Sequence, residues 1–96
     1  MIPYEDRKKV YINALVHYGD LDRMVKAVEE LAECQQAICK VILGQETIDH
    51  LAEEVADATI MLEQIRLCFS INDRVIQYMD EKVQRLDYRL KAVDEE

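Results

Sequence analysis

Residues 20–43 read DLDRMVKAVEELAECQQAICKVIL, twenty-four residues with no glycine or proline. At about 100° per residue, Leu21, Met24, Val25, Val28, Leu31, Ala32 and Ile42 share one apolar face of a helix. A second, smaller strip carries Ala27, Cys34, Ala37 and Val41, and Glu30 projects into its middle. Glu33 stands at the strip's edge, one turn along and about 60° round. Glu29 and Lys40 fall on a more polar side. The segment therefore predicts a helix, with two glutamates looking inward and one looking out.

Working outward, Gly44 stops this helix, and Asp20, a favoured cap residue, opens it. A first helix is predicted over Tyr4–His17, ending before Gly19. A third starts after Thr47 and reaches Phe69. A fourth is capped by Ser70 or Asn72 and reaches Ala92, leaving Asp94-Glu95-Glu96 to fray. Short connections imply antiparallel neighbours. The expected fold is all-α, an antiparallel bundle of about four helices forming one domain over residues 1–96.

The third helix repeats the pattern of the second. Leu51, Val55, Ala58, Leu62, Ile65 and Phe69 form its main apolar face. Glu54 lies between that face and a flank made by Met61 and Cys68. Asp57 sits on the same flank one turn later, while Glu53 and Glu63 point elsewhere. Two pairs of carboxylates at i, i+3 thus intrude where a fold prefers apolar groups. Burying such charges together requires protons, basic side chains or a cation. Oxygen-only ligands on facing helices suit Mg²⁺, with Mn²⁺ as a substitute. The plainer reading is boundary carboxylates paired with Lys or Arg.

Bulk properties narrow the classes. The net charge of −8 argues against general nucleic-acid or anionic-membrane binding. Two glycines and one proline favour helices over sheets. Three cysteines, Cys34, Cys39 and Cys68, show no C-x-x-C spacing and read as reduced core residues of a cytoplasmic protein. No signal-peptide core or membrane-spanning run is evident. A chain of 96 residues buries a thin core, so self-association is expected.

The segment EELAECQQAI (Glu29 to Ile38), followed by HLAEEVADATIMLEQI (His50 to Ile65), resembles the MazG-like nucleoside triphosphate pyrophosphohydrolases. This all-α superfamily includes dimeric dUTPases and phosphoribosyl-ATP pyrophosphohydrolases. Its EExxE…ExxD signature reads here as Glu29-Glu30-Leu31-Ala32-Glu33 and Glu54-Val55-Ala56-Asp57, and the lead-in HYGDLDRMVKAVEE is similar as well. The resemblance covers about Tyr11 to Phe69. It implies a Mg²⁺-dependent enzyme, a homodimer or homotetramer, that cleaves a nucleoside triphosphate between its α- and β-phosphates. It also implies Glu30, Glu33, Glu54 and Asp57 as metal ligands. Glu29 and Glu53 are the doubled acids beside them.

The remaining candidates are less specific. On the fourth helix an apolar face of Val75, Met79, Leu86, Leu90 and Val93 lies beside a basic stripe of Arg74, Lys82, Arg85 and Arg89, with Tyr78 among them. Asp73, Asp80 and Asp87 lie opposite. Arg85 and Arg89 are the best phosphate candidates on it, since guanidinium groups grip phosphate in a fork. Surface ion pairing or a subunit contact is the plainer reading. Lys26, one turn before Glu30, is a further phosphate candidate. His50 lies on the Glu54/Asp57 side, where a capping or supporting role is more ordinary than ligation; His17 reads as a cap or surface residue. With no tryptophan and one phenylalanine, Tyr11, Tyr18 and Tyr78 are left to stack on a base, with ordinary packing as the alternative. Two rival classes remain. One is a non-enzymatic helical interaction module. The other is a di-metal redox carboxylate protein, disfavoured because Glu33 and Asp57 stand where that class usually has histidine.

Overall fold

Few glycines and a single proline near the N-terminus leave long stretches free to stay helical, and the chain does so. A computed structural model describes residues 1–94, with α1 over Tyr4–Tyr18, α2 over Asp20–Ile42, α3 over Ile48–Cys68 and α4 over Asn72–Asp94. No strand occurs among the described residues. The fold is all-α, as expected. Of the three C-terminal residues expected to fray, Asp94 closes α4, and Glu95 and Glu96 lie outside the described residues.

The helix ends have local causes. Thr47 caps α3, its side-chain oxygen accepting from the His50 backbone N–H at 3.1 Å. Gly44, at φ +71°, takes the left-handed conformation that ends α2, and its N–H and that of Gln45 return to the carbonyls of Val41 and Lys40. The residue before α2 is Gly19, at φ +89°, so Asp20 sits in the first turn rather than at the cap. Ser70, expected as a cap for α4, instead ends α3 at φ +54°. The side-chain carbonyl of Asn72 accepts from Arg66 Nε at 2.8 Å.

Helices α2 and α3 form an antiparallel hairpin: Met24 meets Ile65 at one end, Glu30 meets Glu54 in the middle, and Ala37 meets His50 near the turn. The strip of α2 turned to α3 is the smaller one. Ala27 and Ala37 are buried and Cys34, Val41 and Glu30 half-buried, while Leu21, Val25, Val28 and Ile42 are exposed. On α3 the buried residues are Ala58, Met61 and Gln64, and Val55, Leu62 and Phe69 of the expected apolar face are exposed. Much of each larger apolar face thus stays outside the hairpin, although Met24, Ala58 and Ile65 of those faces lie within it. The reason is size: alanines let two helices approach closely, and that approach leaves the bulkier residues outside.

Helix α1 packs on the hairpin through Tyr11, which is buried and whose hydroxyl donates to Glu63 Oε2 at 2.5 Å. Arg7 pairs with the same carboxylate at 3.4 Å. Glu63, which phase alone directed away from the acidic cluster, is the polar anchor of α1. Burial and Glu63 together raise the Tyr11 phenol above its ordinary range.

Helix α4 stands apart. Among the described residues no Cα of α4 comes within 8 Å of α1 or α2, and it meets α3 only sparsely. The radius of gyration is 16.7 Å, against about 12.5 Å for a compact chain of this length. The accessible surface is 7665 Å², about 2,000 Å² more than a folded monomer of this mass exposes. All three cysteines are free: Cys34 and Cys68 are half-buried, but Cys39 is exposed rather than in a core, on a side of α2 where a hollow is lined by α2 residues alone. Burial raises the Cys68 thiol above its ordinary range, helped by nearby Asp20. No helix among the described residues is long and apolar enough to cross a membrane.

Candidate metal centre

The α2–α3 hairpin sets Glu30 and Glu54 opposite each other because both interrupt the alanine-lined strip where the helices meet. One oxygen from each of Glu30, Glu33 and Glu54 lies within 4.8 Å of the others. The side chains of Glu30 and Glu54 are only 12% and 14% exposed, while Glu33 sits at the open rim. Three of the four expected ligands are therefore brought together. Asp57 is exposed one turn further along α3 and is not among the converging three.

Like charges at this spacing repel. The Glu33 carboxyl is raised above its ordinary range, first by Glu30, then by loss of solvent and by Glu54. The chain supplies partial compensation. Lys26 Nζ lies 3.1 Å from Glu30 Oε1 and 3.6 Å from Glu29 Oε2. His50 lies between two carboxylates, with Nδ1 2.7 Å from Glu46 and Nε2 3.2 Å from Glu54 Oε1. Glu46 raises the His50 pKa, chiefly through this hydrogen bond. Glu46 is itself lowered, first by the Thr47 backbone N–H and then by His50.

One atom stays uncompensated: Glu54 Oε2 is buried with no hydrogen-bond partner. A buried carboxylate oxygen without a partner is costly, and a cation would satisfy it. Three carboxylates with no nitrogen or sulfur in the set form a hard-oxygen donor group, which fits Mg²⁺ or Mn²⁺. The residues present thus fit the ion that the sequence pattern implies.

Beside the cluster, Glu33, Gln36, Ala37, Lys40, Glu46, His50 and Glu54 line a cavity of about 160 Å³. Glu46 was missed by helical phase, because it lies in the turn before α3 and has no periodic context. Its spacing of four residues from His50, across a threonine cap, is the signal that could have found it.

Other candidates lie elsewhere. Arg85 lines a shallow hollow made by α4 alone, with Tyr78, Glu81 and Lys82, and the separation of α4 keeps Arg85 and Arg89 away from α2 within one copy. Tyr18 is exposed, with the Arg23 guanidinium 4.3 Å above its ring, and His17 meets its edge at 4.6 Å. Tyr11 is consumed by packing and Tyr78 is exposed. Comparison of the chain with protein-family models, with curated proteins and with solved structures finds no match.

Proposed function

We propose that this protein is a Mg²⁺-dependent nucleoside triphosphate pyrophosphohydrolase. The observation that carries the reading is the convergence of Glu30, Glu33 and Glu54 around a buried, unpartnered oxygen of Glu54. The order of those residues, in the paired motifs that resemble the MazG-like enzymes, supplies the reaction.

A divalent cation held there would neutralise phosphate charge and lower the pKa of an attacking water. Glu30, Glu33 and Glu54 would hold it, with Asp57, one turn beyond Glu54, as the further ligand that the motif implies. Water adds to the α-phosphorus, the bond to the α–β bridging oxygen breaks, and pyrophosphate leaves with that oxygen. A carboxylate of the cluster takes the proton of the water as general base. Lys26, 3.1 Å from Glu30 Oε1, would be within reach of a phosphate oxygen beside such an ion. The working form is a homo-oligomer, which covers the outward apolar residues of α2 and α3.

Pyrophosphate release measured across a panel of canonical and modified nucleotides, with Mg²⁺ and with Mn²⁺, tests this. Turnover of at least one nucleotide, abolished by Glu54→Gln, is expected. The reading fails if no nucleotide turns over and Glu54→Gln binds metal as the wild type does.

A second reading, a non-enzymatic helical interaction module, draws on the ion pairs of Lys26 with Glu30 and His50 with Glu54, which compensate the acids internally. It predicts no metal-dependent thermal shift.

A further inference from the structure

Helix α4 has an apolar face that stays exposed among the described residues. Ile76, Met79, Val83, Leu86, Leu90 and Val93 are each between 53% and 66% exposed. Their spacing alternates three and four without a break, the repeat of a coiled-coil seam with Ile76, Val83 and Leu90 at the a positions and Met79, Leu86 and Val93 at the d positions. β-Branched residues at a with Met or Leu at d, as in the first two heptads, favour two parallel strands.

The residues flanking the seam decide the partner. Asp80 and Asp87 occupy the e positions on one side, and Lys82 and Arg89 the g positions on the other. Such a helix complements itself in one orientation only. In a parallel, in-register pair each g position faces the e position five residues later on the partner, so Lys82 meets the partner's Asp87 twice. In an antiparallel pair Lys82 would face the partner's Arg89, and Asp80 the partner's Asp87, so every flanking contact would repel. Long-range charge does not oppose the pairing. Residues 72–94 carry five acids and five bases, so the −8 of the whole chain lies outside this helix.

We propose that α4 is a parallel coiled-coil zipper joining two copies of this chain. In the single copy Asp87 pairs with Lys91 on its own helix at 2.9 Å, an exposed contact that exchange for Lys82 of a partner displaces at little cost. The inference does not depend on the hydrolase reading. It adds a partner contact, separate from the outward apolar residues of α2 and α3, on the helix that takes no part in the acidic cluster.

Sedimentation equilibrium of the full chain, wild type and variants, supplies the first test. Lys82→Asp puts like charges at both symmetric contacts and is expected to weaken association roughly tenfold. The double variant Lys82→Asp/Asp87→Lys is expected to restore it. An antiparallel pair would respond to the single variant in the opposite sense, because the aspartate introduced at position 82 would then face Arg89 of the other copy. Stronger association of the single variant, or no rescue by the double, overturns the proposal. The second test uses chains with Cys34, Cys39 and Cys68 replaced by serine. Met79→Cys and Leu90→Cys chains, mixed and mildly oxidised, are expected to give 79–79 and 90–90 disulfides. A predominance of 79–90 links, or no link although the chain associates, refutes the parallel zipper, as does a wild-type chain that is monomeric throughout.

Discussion

His50 Nε2 lies 3.2 Å from Glu54 Oε1, while the other oxygen of the same carboxylate is buried without a partner. The two residues stand one turn apart on α3, so the contact forms as soon as the helix does. Half of Glu54 is therefore served by its own helix, and half has no hydrogen-bond partner among the described residues. The candidate metal centre is a set of charges with only part of its compensation built in.

Removal of His50 should be felt in a limited pH range. Its raised pKa means that it stabilises the fold fully below its ordinary value of 6.5, and that this contribution is lost as pH rises through the folded value. Glu46 is lowered, so its contribution is present above 4.5 and is lost as pH falls. His50→Ala should therefore lower the melting temperature most between the ordinary carboxylate value of 4.5 and the ordinary imidazole value of 6.5, and progressively less as pH rises past the raised imidazole value, by calorimetry across pH. An equal loss at every pH would mean that the ring acts by packing instead.

Divalent cations should raise the melting temperature of the wild type. Glu33→Gln removes a charge held against Glu30 and Glu54, so in chelator at neutral pH this variant should melt higher than the wild type. Its shift on adding Mg²⁺ should shrink. A lower melting point in chelator, with an undiminished shift, would contradict the crowded-carboxylate account.

The alanines between α2 and α3 set the separation of the acidic side chains. Ala58→Leu overfills that contact and should cost about 1–3 kcal/mol in denaturant unfolding. It should also weaken Mg²⁺ binding by calorimetric titration, although residue 58 carries no ligand atom.

The Tyr11 hydroxyl ties α1 to Glu63 of α3. Tyr11→Phe should destabilise by about 1 kcal/mol, the usual worth of one such hydrogen bond. Metal affinity should stay the same, because Glu63 lies outside the acidic cluster. A concurrent loss of metal binding would mean that α1 positions the centre.

Helix bounds and acidic candidates were largely legible in the chain. Thr47 and Gly44 marked their ends through cap chemistry, and helical phase singled out Glu30 and Glu54 before any packing was known. Phase could not say which of two apolar faces a helix turns to its neighbour. Leu21, Val25 and Val28 form the larger face of α2, yet the side carrying Ala27 and Ala37 meets α3. Hydrophobic area alone favours the larger face, whereas close approach of two helices favours small residues. Only assembly in three dimensions resolves that competition.

The sequence by itself determined that this is a chain of four helices with paired carboxylates, because helix propensity, capping and periodicity act over a few residues. Only the tertiary structure decided that Glu33 joins Glu30 and Glu54 while Asp57 stands off, that Glu46 and Glu63 have partners, and that α4 stands clear of α1 and α2. Those outcomes depend on distances between residues far apart in the chain, which the packing of helix on helix sets and local pattern does not encode.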